Sequence, residues 1–540
     1  MFTIEEINDS GFLPGVRLGY VAYDVCADAT KALLSVEHLL SINGSLPVLH
    51  DYSEFRPHVK AIIGEYYSLV TVPIAKLLSV YLFPQISAAS SAAVLSDRLW
   101  YPSFFRVIPS DVHQTEAMAQ LMLHFGWNWV GLVSMDDDYG RGAHQSFLKD
   151  AAADGVCIAY EEVIPHYLGH ENSQQRIMEV ARQIQQSDAK VVMVILRDEL
   201  VKMLFEEMIR LKTSRVWIAS NIWSSAPLVM DMQDIDKVGD IYGLRFITGN
   251  IAGFHDFFNN LTVNLGVKNE LIEEYKRITY CSPSSSKDCS KTRAHSLGPT
   301  VAYGERVAVW AIAHALRDLL RCNETSCPGE TIFPPYQLVE KLRKVKFSLD
   351  GEMKFFNVDG DFEDGYEVVM WVPGDRPIKT IGRYNVRRGQ MNIDNSDVIW
   401  TMTPNNTKPS SQCSESCKSG HFKKMTNISC CYTCLPCGEG TFSSILMNAT
   451  NVQMELGLWK DGLNVKHAQK TAQLYILIRV PEMKHQPLPL TLTQRPILGS
   501  RAHCPQVGAS SKNIQVPPRE ECLKVCARHY DQPPSVSDRV

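Results

Sequence analysis

No part of this sequence holds about eighteen consecutive apolar residues free of charge, the length a membrane-spanning helix needs. The nearest candidate, residues 66–96, contains Pro73, Lys76 and Pro84 and reads as a helix, a strand and a loop. The start, MFTIEEINDSGFLPG, lacks a basic segment, and Glu5 and Glu6 interrupt its apolar run, so it does not read as a secretory leader. Basic residues are not in excess: 54 Lys and Arg stand against 59 Asp and Glu, for a net charge of -5 over 540 residues. That balance excludes a nucleic-acid partner recognised through a polycationic face. The sequence also has no G-x-S-x-G elbow, P-loop, H-E-x-x-H or G-x-G-x-x-G. No Ser–His–Asp or His–Cys set can be assembled from it, which argues against an enzyme and leaves no cofactor to name.

What the sequence does have is cysteine. Fifteen are present, and six fall between Cys413 and Cys437 in CSESCKSGHFKKMTNISCCYTCLPC. Two further pairs are local, Cys281 with Cys289 and Cys322 with Cys327. Cys431, Cys434 and Cys437 form C-x-x-C-x-x-C, which suits either zinc or iron–sulfur ligation or a set of disulfides. A second ligand group at fixed spacing is absent. Adjacent Cys430 and Cys431 fit one tetrahedral metal poorly but suit two diverging disulfides. The disulfide reading is the stronger, and a stapled module of this size belongs outside the cell. Seven N-x-[ST] sequons, at Asn8, Asn43, Asn260, Asn323, Asn405, Asn427 and Asn448, point to the same compartment as candidate glycosylation sites. A secreted chain with no leader implies that a leader is missing from this one.

With 45% hydrophobic and 21% charged residues the chain is ordinary globular material, long enough for two or three domains. From residue 16 to about 250 strand-like and helix-like segments alternate. VRLGYVAYDV (16–25), HVKAIIG, FPQIS, SFFRVI, WNWVGLVSM, VCIAYEEVI, AKVVMVIL and RVWIAS read as strands. In the segment between the last two, Val201, Leu204, Met208 and Leu211 fall on one helical face. Continuous apolar strands alternating with amphipathic helices mean parallel sheets covered on both faces. The pattern outruns one doubly wound sheet, so two α/β lobes facing across a cleft are expected. MKFFNVDGDFEDGYEVVMWV reads as a hairpin, with a turn at Asp359-Gly360 rather than a calcium loop.

Candidate ligand contacts lie where strands end. Ser68 follows one strand end and opens a helix, where free N–H groups attract a carboxylate. Ser90 and Ser91 follow another strand end, and Tyr139 follows the acidic MDDDYG turn. Taken alone, capping serines, and a helix-capping Asp in the MDDDYG turn, are the better explanation of these residues. Two adjacent loops with bare amides would also suit a small zwitterion.

The stretches EEINDSGFLPGVRLGYVAYDVC, PQISAASS, YPSFFRVIPSD, FGWNWVGLVSMDDDYGR, RVWIAS and CSESCKSG…SCCYTCLPCGEGTF together resemble class C G-protein-coupled receptors. The likeness runs in order over residues 1–443 and is nearest to the taste receptor type 1 group, leaning to its member 3. A vomeronasal-like or calcium-sensing-like relative, or a soluble decoy without signalling, are the alternatives. The resemblance implies an α/β, bilobed Venus flytrap of the type I periplasmic-binding-protein kind, followed by a disulfide-rich module. It places lobe 1 at 1–112 and 243–350, lobe 2 at 113–242, and a hinge and return to lobe 2 at 351–400. A partial cysteine-rich domain follows at 401–443, then an aberrant or disordered tail at 444–540.

The same resemblance implies an L-amino acid or sugar-like tastant held between the lobes. Ser68 with Ala89, Ser90 and Ser91 would act from lobe 1, Tyr139 and Asn221 from lobe 2, and Asp111 as an ammonium partner. Where the family usually carries an acid, this chain has Asn221 in ASNIW, which loses a charge-assisted bond of roughly 1–3 kcal/mol. The implied disulfides are Cys157–Cys430, Cys413–Cys431, Cys417–Cys434, Cys281–Cys289 and Cys322–Cys327. Cys437 is left needing a partner further on, and Cys26 stands alone, so the chain is expected to be clipped at both ends. The intact receptor would sit at the plasma membrane with its ligand region outside. It would pair with a receptor of the same family, as homodimer or heterodimer, and act on a G protein through seven helices.

Overall fold

In the computed structural model, residues 1–42, 44–166, 173–259, 299–372, 378–418 and 420–437 are described. Two sheets organise them. The smaller has three parallel strands in the order β1 (Ile62–Ile63), β2 (Gln85–Ser87), β3 (Phe104–Arg106). The larger has eight. Its parallel half comprises β4 (Trp129–Met135), β5 (Cys157–Ile164), β6 (Val191–Ile195), β7 (Val216–Ala219) and β8 (Ile241–Phe246). A hairpin, β9 (Lys346–Leu349) with β10 (Glu352–Phe355), belongs to the first lobe. Three antiparallel strands, β11 (Tyr366–Trp371), β12 (Ile378–Asn385) and β13 (Gln390–Ile393), complete the large sheet in the order β13-β12-β11-β8-β7-β6-β4-β5.

The large sheet is apolar because helices cover it. All five residues of β6 are buried, as are all four of β7, so the alternation seen in half-exposed strands is absent. The helices Asp111–His124, Asp138–Ala153, Ser173–Gln186 and Asp198–Arg210 carry the covering side chains. On the last of these, Val201, Leu204 and Met208 are fully buried, as their spacing requires. The first lobe packs around several separate cores, two of them large. One joins the helices Ala29–Leu40 and Ser68–Val80 through Val36, Leu40, Ile74 and Leu78. The other packs β2 and β3 against the helices Pro299–Leu319 and Pro335–Leu342. Pro73 sits inside the helix Ser68–Val80, in its second turn, where its missing N–H forgoes the bond to the Leu69 carbonyl.

Two sequence expectations are corrected. Residues 16–25 form no strand: Tyr20, Val21 and Tyr23 are about half exposed, and the outer side of β1 pairs with no other named strand. Composition favoured a strand, but a strand also needs a ladder partner. Nor do residues 353–372 form a hairpin. Phe355 pairs back with Lys346, while Tyr366–Trp371 inserts between β8 and β12, where it is almost wholly buried. The Asp359-Gly360 turn is present, with Gly360 at a φ of 73° and its N–H donating to the Asn357 carbonyl at 3.1 Å. It leads from one lobe to the other instead of joining two paired strands.

The cysteine module is a short antiparallel pair, β14 (His421–Met425) with β15 (Tyr432–Pro436), too small to build a core. Cys413–Cys431 and Cys417–Cys434 staple it, and Cys157–Cys430 ties it to β5 across 273 residues of chain. Cys322–Cys327 closes a loop after the long helix Pro299–Leu319. Cys437 carries a free thiol. Cys26 is disulfide-bonded, which corrects the expectation that it stands alone. Cys281 and Cys289, the sequons at Asn43, Asn260 and Asn448, and the tail from 444 lie outside the described residues. The side chains of Asn323, Asn405 and Asn427 are exposed, while the Asn8 amide is held by both backbone groups of Leu18. The approach to the module is docked rather than free: Trp127 Nε1 donates to the Pro409 carbonyl, and Lys190 N–H donates to Ser411 Oγ.

Candidate ligand-binding cleft

The carboxyl ends of β1 and β2 in one lobe meet those of β4, β6, β7 and β8 in the other. Between them lies a cavity of about 250 Å³, lined by Tyr66, Tyr67, Ser68, Ala88, Ala89, Ser91, Met135, Asp137, Tyr139, Asp198 and Asn221, with Phe246 and the turn 222–227. A larger cavity of about 780 Å³ lies elsewhere, between residues 16–25 and the outer edge of β1. The smaller one carries the convergent polar groups that a ligand site needs.

Ser68 is the first residue of its helix, whose N-terminus no side chain caps. Its Oγ accepts from the Ala92 N–H at 3.1 Å, which fastens the two lobe 1 loops together. Ser91 is nearly buried and presents to the cavity wall. Ser90 does not line the wall. Its hydroxyl donates to the Glu65 carbonyl at 2.8 Å and lies 2.6 Å from Thr71 Oγ1, so it braces the loop that carries Tyr66 and Tyr67. From lobe 2, Tyr139 donates from its hydroxyl to Asn221 Oδ1 at 3.3 Å. Burial pushes the Tyr139 phenol well above its ordinary range. Asp111 also stands behind the wall. Its Oδ1 accepts from Gln114 Nε2 at 2.7 Å, and Gln114 Oε1 accepts from the Asn221 N–H at 2.8 Å. Of the seven residues singled out in the sequence, five therefore line the cavity and two support it.

Sequence reasoning missed two carboxylates. Of the three Asp residues in the MDDDYG turn, Asp137 caps the helix, accepting from the Gly140 N–H at 2.7 Å; it also faces the cavity. Burial raises its pKa. Asp198 opens the helix after β6, and burial, with Glu199 beside it, pushes its carboxyl up to about 7. The rule that parallel strands present ligand contacts at their carboxyl ends would have found it after AKVVMVIL. No Lys, Arg or His is among the lining residues. Arg197, next to Asp198 in the chain, is turned over the Tyr67 ring at 4.8 Å and lies 3.5 Å from Glu199.

A serine, a histidine and a glutamate are linked elsewhere. Ser134 Oγ and His144 Nδ1 are 2.8 Å apart, and His144 Nε2 and Glu161 Oε2 are 2.9 Å apart. Ser134 is buried within the large sheet and lines neither of the cavities described above. Among the described residues no cluster of His, Cys, Asp and Glu is placed to hold a metal ion, and no helix is long and apolar enough to cross a membrane.

Residues 1–374 match the family model described as the receptor family ligand binding region. The chain is 34% identical over 480 residues to the human G-protein coupled receptor family C group 6 member A, covering 82% of this chain and 51% of that protein. It is 34% identical over 464 residues to human taste receptor type 1 member 2, covering 82% and 54%. With the same receptor of Saimiri sciureus it shares 33% over 466 residues, covering 84% and 55%. The chain thus spans about half the length of the curated relatives it matches, and these taste receptors are member 2, not the member 3 towards which its motifs lean. The family is one of receptor regions and not of enzymes. The two α/β lobes, the module stapled to the second of them and the extent of these matches lead to one conclusion: the chain belongs to the class C G-protein-coupled receptors, as an extracellular ligand-binding region of that family.

Proposed function

We propose that this region senses an L-amino acid, or a tastant of similar size, in the cleft between its lobes. In the intact receptor, at the plasma membrane, closure of the cleft would be passed through the cysteine module to membrane helices and a G protein. A second receptor of the same family is the expected partner. The observation that carries this reading is the convergence of strand ends from two sheets on one small polar cavity. A volume of about 250 Å³ suits a ligand at or below the lower limit of ordinary small-molecule pockets, roughly 300 Å³.

The chemistry fits a zwitterion. The uncapped helix start at Ser68, with the Ser91 hydroxyl, would receive the carboxylate. Tyr139 and Asn221 would receive the ammonium through neutral oxygens, with Asp137 restoring the negative charge that Asn221 does not provide. With two carboxylates and no cation in the wall, ligands with acidic side chains are disfavoured.

The test is a thermal melt of the full chain, secreted, with a panel of amino acids. A ligand that binds the native state alone stabilises it by about 2.7 kcal/mol at a hundred times its Kd. The melt of the native chain should rise with some members of the panel, and that of Ser68→Ala/Ser91→Ala should not. A cooperative melt that no member of the panel moves would refute an amino-acid cleft.

A further inference from the structure

Asp111 is 1% exposed, yet one of its carboxylate oxygens, Oδ2, has no hydrogen-bond partner. The other is committed to Gln114, and through it to the backbone of Asn221. The residue opens the helix Asp111–His124, directly after the segment that leads out of β3, and its own N–H donates to the Ser91 carbonyl at 2.9 Å. Three cavity-lining residues are thus coupled to this carboxyl: Ser91 from lobe 1 and Tyr139 from lobe 2 through their electrostatics, and Asn221 from lobe 2 through the two hydrogen bonds of Gln114.

We propose that Asp111 is a proton-releasing positioning residue of the cleft: ligand binding is coupled to release of a proton from its carboxyl to solvent. This rests on the reading of the cleft as a site for a ligand ammonium. An ammonium brought to Tyr139 and Asn221 favours the ionised form of Asp111. The ionised form in turn accepts the Gln114 amide that holds the Asn221 loop. Burial, the dominant effect, raises the Asp111 carboxyl to about 7, so the proton is exchangeable near neutral pH.

The groups that face it are accounted for. Arg106 on β3 favours ionisation, but its guanidinium is engaged by Asp361 at 2.7 Å. Asp137, from the loop after β4, opposes ionisation. Tyr139 from the neighbouring helix and Tyr366 from β11 are neutral, both phenols being pushed well above their ordinary range. Gln114 contributes a hydrogen bond that favours the charged form, and the nearby Ser91 side chain acts in the same direction.

The experiment measures affinity by calorimetry on the full chain at pH 6 and pH 8, in two buffers of different ionisation enthalpy. The probes are glycine, L-alanine, L-glutamine and L-lysine. If the ligand lowers the pKa of the Asp111 carboxyl by one unit, affinity is about fivefold tighter at pH 8 than at pH 6 and protons are released on binding. Asp111→Asn keeps an acceptor for Gln114 and should bind with little dependence on pH. Any titration of the probe is common to both proteins. Asp198→Asn removes the other carboxyl near 7 and should keep the proton release. Binding without proton release, or proton release lost in Asp198→Asn and retained in Asp111→Asn, would overturn the inference and leave the ligand reading intact. No binding by any probe at either pH would overturn both.

Discussion

A single carboxylate can set what a small cavity rejects. Asp198 faces the cleft with no cation among the lining residues to neutralise it. Under the proposed function, L-glutamate should bind at least about tenfold more weakly than L-glutamine, a difference of about 1.4 kcal/mol. Asp198→Asn should narrow that gap, read by displacement or calorimetry at pH 8. An unchanged ratio would mean that the ligand side chain points elsewhere. Asp111 affects stability as well as binding. Its folded pKa, about 7, is raised above the ordinary 3.8. The folded protein therefore holds a proton that the unfolded chain gives up. The stability this contributes is fully present below about pH 4 and is lost as pH rises through about 7. The amount is roughly 4 kcal/mol for a shift of this size. The melting temperature should fall between pH 5 and pH 8, and Asp111→Asn should flatten that fall.

Elements join at two places that substitution can test. Arg106 at the end of β3 is wholly buried, and its guanidinium binds Asp361 in the turn that leads towards β11. A buried charge that loses its partner costs about 3–5 kcal/mol. Asp361→Ala should therefore destabilise the chain by that order in denaturant titration. A change below 1 kcal/mol would show that Ser96 and the carbonyls of Ser90 and Ala92, which also accept from Arg106, hold the guanidinium without Asp361. The second join is Cys157–Cys430, between β5 and the cysteine module. Cys157→Ser/Cys430→Ser should lower stability by about 2–4 kcal/mol. Hydrogen exchange should then rise in 413–437 more than in β6 and β7. Equal protection in the two variants would show that the docking of Trp127 and Lys190 on the 409–411 segment suffices.

At the scale of the molecule, how much could be read in advance varied with the reach of the interaction. The strands β4, β6 and β7 were legible because burial on both faces leaves a continuous apolar run, and the helix Asp198–Arg210 because its apolar residues recur with the helical period. Residues 16–25 misled for the converse reason: β-branched and aromatic composition describes a side chain's preference, whereas a strand exists only where another backbone is within reach. Residues 353–372 misled because two strands close in sequence look like a hairpin, although each found a partner far away. In the cleft, Ser68 and Ser91 were legible as hydroxyls at strand ends. Ser90 looked the same in sequence, but it is turned inward to Thr71.

By itself the sequence determined the properties that composition and period carry. These are two parallel-sheet lobes, a cysteine module too poor in apolar residues to fold without staples, no polycationic surface, and the motifs that resemble class C receptors. Tertiary structure alone decided which polar groups meet. Asp137, Tyr139, Asp198 and Asn221 are as much as 84 residues apart in the chain, yet they line one cavity because β4, β6 and β7 lie side by side and end at the same edge. Asp111 is set behind them by the helix that it opens, where burial makes its charge costly. Local sequence encodes what each residue prefers, while the desolvation and proximity that give those residues their chemistry arise only when distant segments pack.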